Sequence, residues 1–268
     1  MKPIPILLYH SIADQVALPF KKWAVAPADF AMHLAYLKSH NYTPMTVSQL
    51  VDSTENNLTS LPERPVVITF DDGFADFYTG AFPALRQYGF PATLYITTGY
   101  VGQTSRWLSR EGEGERPMLT WDQIRELQTN GIECGAHTHH HPQLDTLTTT
   151  AAHDEIVTSK LMLEHHLRQP VTTFAYPHGY YSPAVRRIVH EAGFSSACAV
   201  KHAMSYKGDD RFALARIIVA AGTNTDALAQ LLAGQNLPVA LKRERIQTKG
   251  WRWIRRSAKL INQRRLTL

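Results

Sequence analysis

The stretch Val66–Asp72, Val-Val-Ile-Thr-Phe-Asp-Asp, decides the fold, and Gly73 follows it directly. Its apolar and β-branched residues are typical of a strand buried on both faces in a parallel sheet. Two adjacent charges cannot lie inside such a strand, so Asp71 and Asp72 are predicted to lie at its carboxyl end, where Gly73 permits a sharp turn. In parallel α/β folds ligands bind at this end of the strands. The alternative is a plain Asp-Gly turn.

Strand and helix patterns alternate along the chain over at least six units, which is typical of a parallel sheet. The predicted strands are Ile4–Tyr9, Val66–Phe70, Ala92–Thr98, Ile132–Ala136, Thr172–Tyr176, Phe194–Val200 and Phe212–Val219. The predicted helices are Pro27–His40, Val47–Asp52, Phe74–Tyr88, Trp121–Thr129, Thr149–Arg168, Pro183–Ala192 and Asp226–Leu232. We therefore expect an α/β fold, a distorted or incomplete (β/α) barrel with its site at the carboxyl-terminal rim. An open doubly wound sheet is the alternative, and no Gly-x-Gly-x-x-Gly follows a predicted strand to indicate a dinucleotide site.

The composition is that of an ordinary globular protein, with 268 residues, 44% hydrophobic and 19% charged. This length suits one barrel-sized domain or two small ones. Cys134 and Cys198 lie in apolar runs and are expected to be reduced, since the sequence offers no disulfide framework. The N-terminal apolar run is too short for a signal peptide and no run is long enough to span a membrane. We therefore expect a cytoplasmic protein, either free or peripheral at the inner membrane face.

Residues 242–268 form a basic tail, which we expect to follow a single domain over residues 1–241. This tail has ten lysines and arginines against one glutamate, whereas the whole chain carries only +5, so the domain itself is mildly acidic. One helical face of the tail is apolar: Trp251, Ile254, Ala258 and Ile261. Such a helix suits an anionic membrane surface, and a solvated charged helix is the alternative. No recognition motif supports binding to nucleic acid.

His137 and His141 are four residues apart, just after the predicted strand Ile132–Ala136. Because the carboxyl ends of parallel strands lie at one rim of a barrel, these imidazoles are predicted to lie near Asp71 and Asp72. Two neutral imidazoles and one carboxylate make a three-ligand metal site that leaves one position for water. This donor set favours Zn²⁺, although Co, Ni or Fe would also fit. The alternative is a solvated polar loop that happens to be rich in histidine.

The two motifs together resemble those of a known family. Thr69-Phe-Asp-Asp-Gly73 with His137-Thr-His-His-His141 resembles the polysaccharide deacetylases of carbohydrate esterase family four, the NodB-homology domain, over about residues 1–220. The resemblance implies that Asp71 is the general base. It also implies that Asp72, His137 and His141 bind a divalent metal.

The third family motif, Arg-x-Pro-[Phe/Tyr], is only partly matched. It resembles Ala175-Tyr-Pro-His178, in which Ala175 stands where the family has an arginine that steadies the base. We predict that Arg216 replaces this arginine from another strand. The resemblance also implies that the backbone N–H of His178 helps to hold the oxyanion.

The family's final motif, Leu-x-His, supplies the general acid and has no good match after residue 200. It matches Leu8-Tyr-His10 near the N-terminus instead, as in a permuted branch that resembles the poly-N-acetylglucosamine deacetylases. In a closed barrel the first and last strands are neighbours, so this change of order preserves the geometry. We therefore predict that His10 is the acid, with His202 as the alternative and a structural role for His10 as another.

The resemblance implies a metal-dependent hydrolase that removes N-acetyl groups from an amino-sugar glycan or glycolipid and releases acetate. The same site chemistry would serve an O-acetyl esterase of the xylan type. A catalytically silent glycan-binding protein on the same fold is a further alternative. Five aromatic residues are candidates for stacking on sugar rings, with core or rim packing as the alternative for each: Trp107, Trp121, Tyr176, Tyr180 and Tyr181.

Overall fold

The computed structural model describes residues 3–55, 61–238, 250, 254 and 255. Its centre is a curled sheet of eight parallel strands, which forms a half-barrel. The strands are β1 (Ile6–Tyr9), β2 (Thr43–Met45), β3 (Pro65–Phe70), β4 (Ala92–Ile96), β5 (Ile132–Ala136), β6 (Thr173–Ala175), β7 (Ser196–Cys198) and β8 (Ile217–Ile218). The predicted distorted (β/α) barrel is thus confirmed.

The strand order is β7-β6-β5-β4-β3-β1-β8, and β2 pairs with the first half of β3. The segment before β8 contacts the opposite edge of the sheet, because Leu214 forms a parallel bridge to Cys198 of β7. Ile217 and Ile218 then pair with Leu7 and Leu8 of β1. One short segment therefore touches both edges and brings the two ends of the curled sheet together.

Within residues 3–55 and 61–238, seven α-helices accompany the sheet. They are α1 (Pro27–Ser39), α2 (Val47–Glu55), α3 (Phe82–Tyr88), α4 (Trp121–Thr129), α5 (Thr149–Leu167), α6 (Pro183–Glu191) and α7 (Thr225–Leu232). Local capping explains where two of them begin. Thr120 and Gln123 form a reciprocal capping box at α4, and Ser182 caps α6 with Pro183 in its first turn.

Side chains alternate across the strands, so the sheet contributes to two cores. Leu7, Tyr9 and Phe70 pack with the helices in the larger core. A smaller core fills the inside of the half-barrel and includes Tyr95 and Cys198. In β3 this alternation directs Phe70 toward the helices, which leaves the next side chain, that of Asp71, to point into the barrel.

Several predicted elements differ from the structure because tertiary contacts override local pattern. The predicted loop Lys21–Val25 instead contains the end of a 3₁₀-helix, Leu18–Trp23, and the short strand Ala24–Val25, which pairs with Ser11–Ile12. The predicted helix Phe74–Tyr88 starts later, as a π-helical turn at Phe77–Ala81 that continues into α3. Of the predicted strand Phe212–Val219, only β8 is regular.

Both cysteines are buried and free, as predicted. Among the described residues no helix is both long enough and apolar enough to cross a bilayer. The predicted basic tail, residues 242–268, lies outside the described residues except at positions 250, 254 and 255. Its predicted helical face and membrane partner therefore stay predictions, as does the cytoplasmic location.

Candidate functional site

Asp71 lies directly after β3 and is held by a buried arginine. The Arg216 guanidinium donates from Nη1 to Oδ1 of Asp71 at 2.6 Å and from Nη2 to Oδ2 at 2.7 Å. Arg216 is fully buried and Asp71 is only 2% exposed. Burial alone would raise the pKa of Asp71, but the guanidinium and His137 hold it below its ordinary value. The carboxylate is therefore fixed in orientation and kept ionised.

Arg216 reaches Asp71 from the last strand, since it immediately precedes β8. Two of its other donors are also used, with Nε donating to the Ala199 carbonyl at 3.2 Å and Nη1 to Thr69 Oγ1 at 3.3 Å. Ala175, where the family has its arginine, is buried in the core inside the half-barrel. The structure thus places the Arg216 guanidinium against the carboxylate, as the sequence predicts, and its steadying role stays a proposal.

Asp72 faces the two histidines that follow β5. Its Oδ1 lies 3.2 Å from Nε2 of His141 and 3.5 Å from Nε2 of His137. One ligand atom from each of these three buried residues lies within 4.8 Å of the others. Burial alone would raise the pKa of Asp72, but His141 and His137 hold it well below its ordinary value. The three side chains therefore form one compact group of metal-ligand type.

The donor chemistry of this group fits a divalent ion. Four-coordinate zinc with bonds of about 2.0–2.1 Å places neighbouring ligand atoms about 3.3 Å apart, close to the separations seen here. Nδ1 of His137 donates to the Ala175 carbonyl at 2.8 Å, which leaves the Nε2 lone pair directed at the group. Oδ1 of Asp72 is buried, and no hydrogen-bond partner for it occurs among the described residues. A cation at this point would satisfy both atoms.

Four site residues other than glycine have left-handed backbone conformations. Their φ angles are 76° at Asp72, 67° at Thr138, 58° at His141 and 57° at His178. Such conformations cost energy in residues with a Cβ atom and occur preferentially at functional sites. Here they redirect the chain just beyond the strand ends, so that side chains from successive loops converge. Gly73 continues the same turn with φ 86°.

The group opens into a cavity of about 330 Å³ at the carboxyl ends of the strands. Its lining includes the predicted site residues His10, Asp71, Asp72, His137, His141 and His178. It does not include the alternative acid His202, whose Nδ1 accepts a hydrogen bond from the backbone of Ile218 instead. The barrel rim therefore brings together residues that are distant in sequence.

Burial is the main influence on the pKa values of two imidazoles of the cavity, those of His10 and His178. Burial lowers the pKa of His10, although the carboxylates of Asp72 and Asp71 act in the opposite direction. Burial and the neighbouring His141 lower the pKa of His178 to about 3. The His178 ring packs edge-on against that of His141, with centroids 4.7 Å apart. The His178 side chain therefore faces the cavity as a neutral imidazole, a position that the sequence prediction, concerned only with its backbone, did not foresee.

Of the five aromatic residues predicted as candidates for sugar stacking, two line the cavity and three pack elsewhere. Trp107 and Tyr180 line the cavity, and the Trp107 ring lies 5.2 Å from that of His141. For Trp121 and Tyr176 the packing alternative holds, because Trp121 stacks on His166 at 3.8 Å and Tyr176 is fully buried. Tyr181 packs on Tyr176 at 4.6 Å instead of lining the cavity.

The sequence prediction missed Trp23 and Glu111, which also line the cavity. Trp23 lies at the end of a 3₁₀-helix and packs on the His10 ring, with centroids 4.7 Å apart. Glu111 ends the 3₁₀-helix Arg106–Glu111 within the long polar loop that follows β4. The length and composition of that loop were the only indication of a functional role in the sequence.

Comparison with known proteins agrees with this geometry. The family model for polysaccharide deacetylase matches residues 59–197. The Bacillus subtilis protein YxkH is 29% identical over 227 residues, 84% of this chain and 74% of its own. A poly-beta-1,6-N-acetyl-D-glucosamine N-deacetylase of Staphylococcus aureus is 23% identical over 208 residues, 74% of this chain and 69% of its own. The Streptococcus pyogenes deacetylase PplD, solved with acetate, superposes with a TM-score of 0.74 at 26% identity, covering 86% of this chain and 98% of that one.

Proposed function

The chain belongs to the polysaccharide deacetylase family, and from that premise we propose that it is a metal-dependent N-deacetylase of an amino-sugar glycan or glycolipid. The observation that carries the proposal is the Asp72, His137 and His141 group beside a carboxylate held by Arg216. A relative named for the N-deacetylation of poly-N-acetylglucosamine supports the choice of an amide substrate. Acetate and a glucosamine-type amine would be the products.

In this proposal Asp72, His137 and His141 hold the ion, for which the donor set favours Zn²⁺. When bound, such an ion polarises the acetyl carbonyl and lowers the pKa of a coordinated water. Asp71 takes a proton from the attacking water, since it is ionised, lies beside the metal group and is held in one orientation by Arg216. Asp71 acts here as general base and Arg216 as a positioning residue.

Two further groups act at the opposite stages of the reaction. The backbone N–H of His178 faces the developing oxyanion in this proposal, a contact of the kind that stabilises tetrahedral states. His10 lines the same cavity and donates a proton to the departing amine. Trp23 packs on the His10 ring and so restricts its orientation. The lowered pKa of His10 makes its protonated form a stronger acid than a free imidazolium.

The test is metal analysis combined with acetate release from two substrates, N-acetylglucosamine oligomers and acetylated xylan. We expect about one equivalent of divalent metal and acetate from the oligomers only. Acetate from xylan alone would instead identify an O-acetyl esterase. A metal-loaded protein that binds the oligomers and releases no acetate from either substrate would be a silent glycan-binding protein.

A further inference from the structure

The loop between β4 and α4, residues 99–119 and here called the rim loop, is firmly anchored at its base. Arg116 pairs with Asp76 at 2.5 Å and with Glu113 at 2.9 Å. Backbone hydrogen bonds join the two sides of the loop, from Ser105 to Arg116 and from Met118 to Gln103. The 3₁₀-helix Arg106–Glu111 lies between these contacts and carries Trp107 and Glu111 to the cavity wall. These contacts thus hold both side chains at the cavity wall.

Each of these two side chains presents a polar atom that lacks a partner. Oε2 of Glu111 and Nε1 of Trp107 are shielded from solvent, and no described residue forms a hydrogen bond with either atom. A buried polar atom without a partner destabilises the protein, and a charged one does so more strongly. Because both residues line the cavity, a ligand that enters it would lie against both side chains.

Among the described residues no ion pair involves Glu111, in contrast to the other two carboxylates of the cavity. Three carboxylates line the cavity, and its described lining contains no lysine or arginine. Asp71 is neutralised by Arg216, and Asp72 faces the two histidines of the metal group. A sugar hydroxyl would satisfy the hydrogen bonding of Glu111 but not its charge, whereas a cation would satisfy both.

We propose that Glu111 forms a subsite for the ammonium group of a glucosamine unit adjacent to the N-acetylated unit in the reactive position. This proposal rests on the proposed function, because that reaction produces the amine. Trp107 packs on His141 of the proposed metal group, so the 3₁₀-helix Arg106–Glu111 lies immediately beside the reactive position. The indole face of Trp107 attracts a cation. The enzyme would thus prefer chains that are already partly deacetylated.

The test compares kcat/KM on two N-acetylglucosamine oligomers of equal length, one fully acetylated and one with a single glucosamine beside an acetylated unit. We expect the wild-type protein to prefer the second oligomer. The preference is measured as the ratio of the kcat/KM values on the two oligomers. Replacing Glu111 by glutamine should reduce this ratio by about ten- to a hundredfold. Added salt should weaken the wild-type preference in the same direction.

Glu115→Gln is the matched control, because Glu115 is an exposed carboxylate of the same rim loop outside the cavity lining. It should keep the wild-type ratio. An equal fall on both oligomers in Glu111→Gln would mean recognition of sugar hydroxyls and would overturn the proposal. If the wild-type protein releases acetate from neither oligomer, the proposed function fails by itself. Calorimetric binding of glucosamine oligomers to the wild type and Glu111→Gln then decides on the subsite, and equal affinities would refute it.

Discussion

Replacing Arg216 by glutamine should raise the pKa of Asp71 and move the acid limb of the pH–rate profile to higher pH. Both guanidinium nitrogens contact the carboxylate, at 2.6 and 2.7 Å, and neither residue is accessible to solvent to any useful extent. An adjacent arginine lowers the pKa of a carboxyl by about 1–3 units, and burial without it acts in the opposite direction. The pKa that defines the acid limb of kcat/KM should therefore rise by about 1–3 units, which corresponds to about 1.4–4 kcal/mol.

The same change should lower the stability of the fold in a pH-dependent manner. In the wild type the pKa of Asp71 is held down, so its contribution to stability is present above the unfolded value of about 3.9 and is lost as the pH falls through the folded value. In Arg216→Gln the folded pKa lies above the unfolded one, so the carboxylate destabilises the fold at neutral pH. Breaking a buried ion pair lowers the free energy of unfolding by about 3–5 kcal/mol. The difference in this free energy between Arg216→Gln and the wild type should become smaller when the pH falls below the raised pKa of Asp71.

The chain provides a matched control at its surface. Arg186 binds Asp210 by an equivalent two-point contact, at 2.7 and 2.6 Å, but their side chains are 39% and 43% exposed. Arg186→Gln should cost about 0–1 kcal/mol and leave the acid limb in place. Arg216→Lys keeps the charge and should give an intermediate shift if the glutamine variant does not fold. An Arg216→Gln enzyme whose acid limb overlays that of the wild type would refute the reasoning, as would a loss of stability no larger than that of Arg186→Gln.

Three other predictions concern the remaining groups. Asp71→Asn should abolish turnover yet retain the metal, whereas His141→Ala should lose the metal. Elemental analysis of the two variants tests this difference, and metal loss in Asp71→Asn would contradict the proposed division of roles. In the wild type the alkaline limb of the pH–rate profile should begin below pH 6.5, because burial lowers the pKa of His10. His10→Gln should lower kcat by about 10²–10⁴-fold and remove this limb. A variant whose pH profile keeps the limb would exclude His10 as the acid. Deleting residues 242–268 should weaken binding to anionic liposomes, and unchanged partition would remove the lipid interpretation.

The sequence was sufficient to predict the fold because strand and helix patterns alternate along it, which is typical of a parallel sheet. Val66–Phe70 could be recognised as a buried strand from composition alone, and the structure has β3 at Pro65–Phe70. The convergence of Asp72 with His137 and His141 followed from parallel strands whose carboxyl ends share one rim. Arg216 was predicted only as a replacement for the family's arginine; in the structure it reaches Asp71 because β8 pairs with β1 and β1 pairs with β3.

The cavity wall was less predictable, because its positions depend on contacts that no local pattern encodes. Trp23 and Glu111 lie on 3₁₀-helices, elements too short to give a periodic pattern. Their orientation depends on distant partners: the ion pairs of Arg116 fix the rim loop, and β1 and its following residues position His10 against Trp23. A tryptophan or glutamate in a polar loop has the same sequence signature whether it faces solvent or a cavity.

The left-handed backbone around the Asp72, His137 and His141 group is stabilised by contacts within the fold. Asp72, His141 and His178 have positive φ angles without being glycine, so each conformation must be stabilised by its surroundings. The backbone N–H of His141 donates to Thr138 Oγ1 at 3.0 Å, and His137 is fixed through the Ala175 carbonyl. The cost of ordering the ligands therefore falls on folding and not on metal binding, the condition under which a small group of side chains binds an ion tightly.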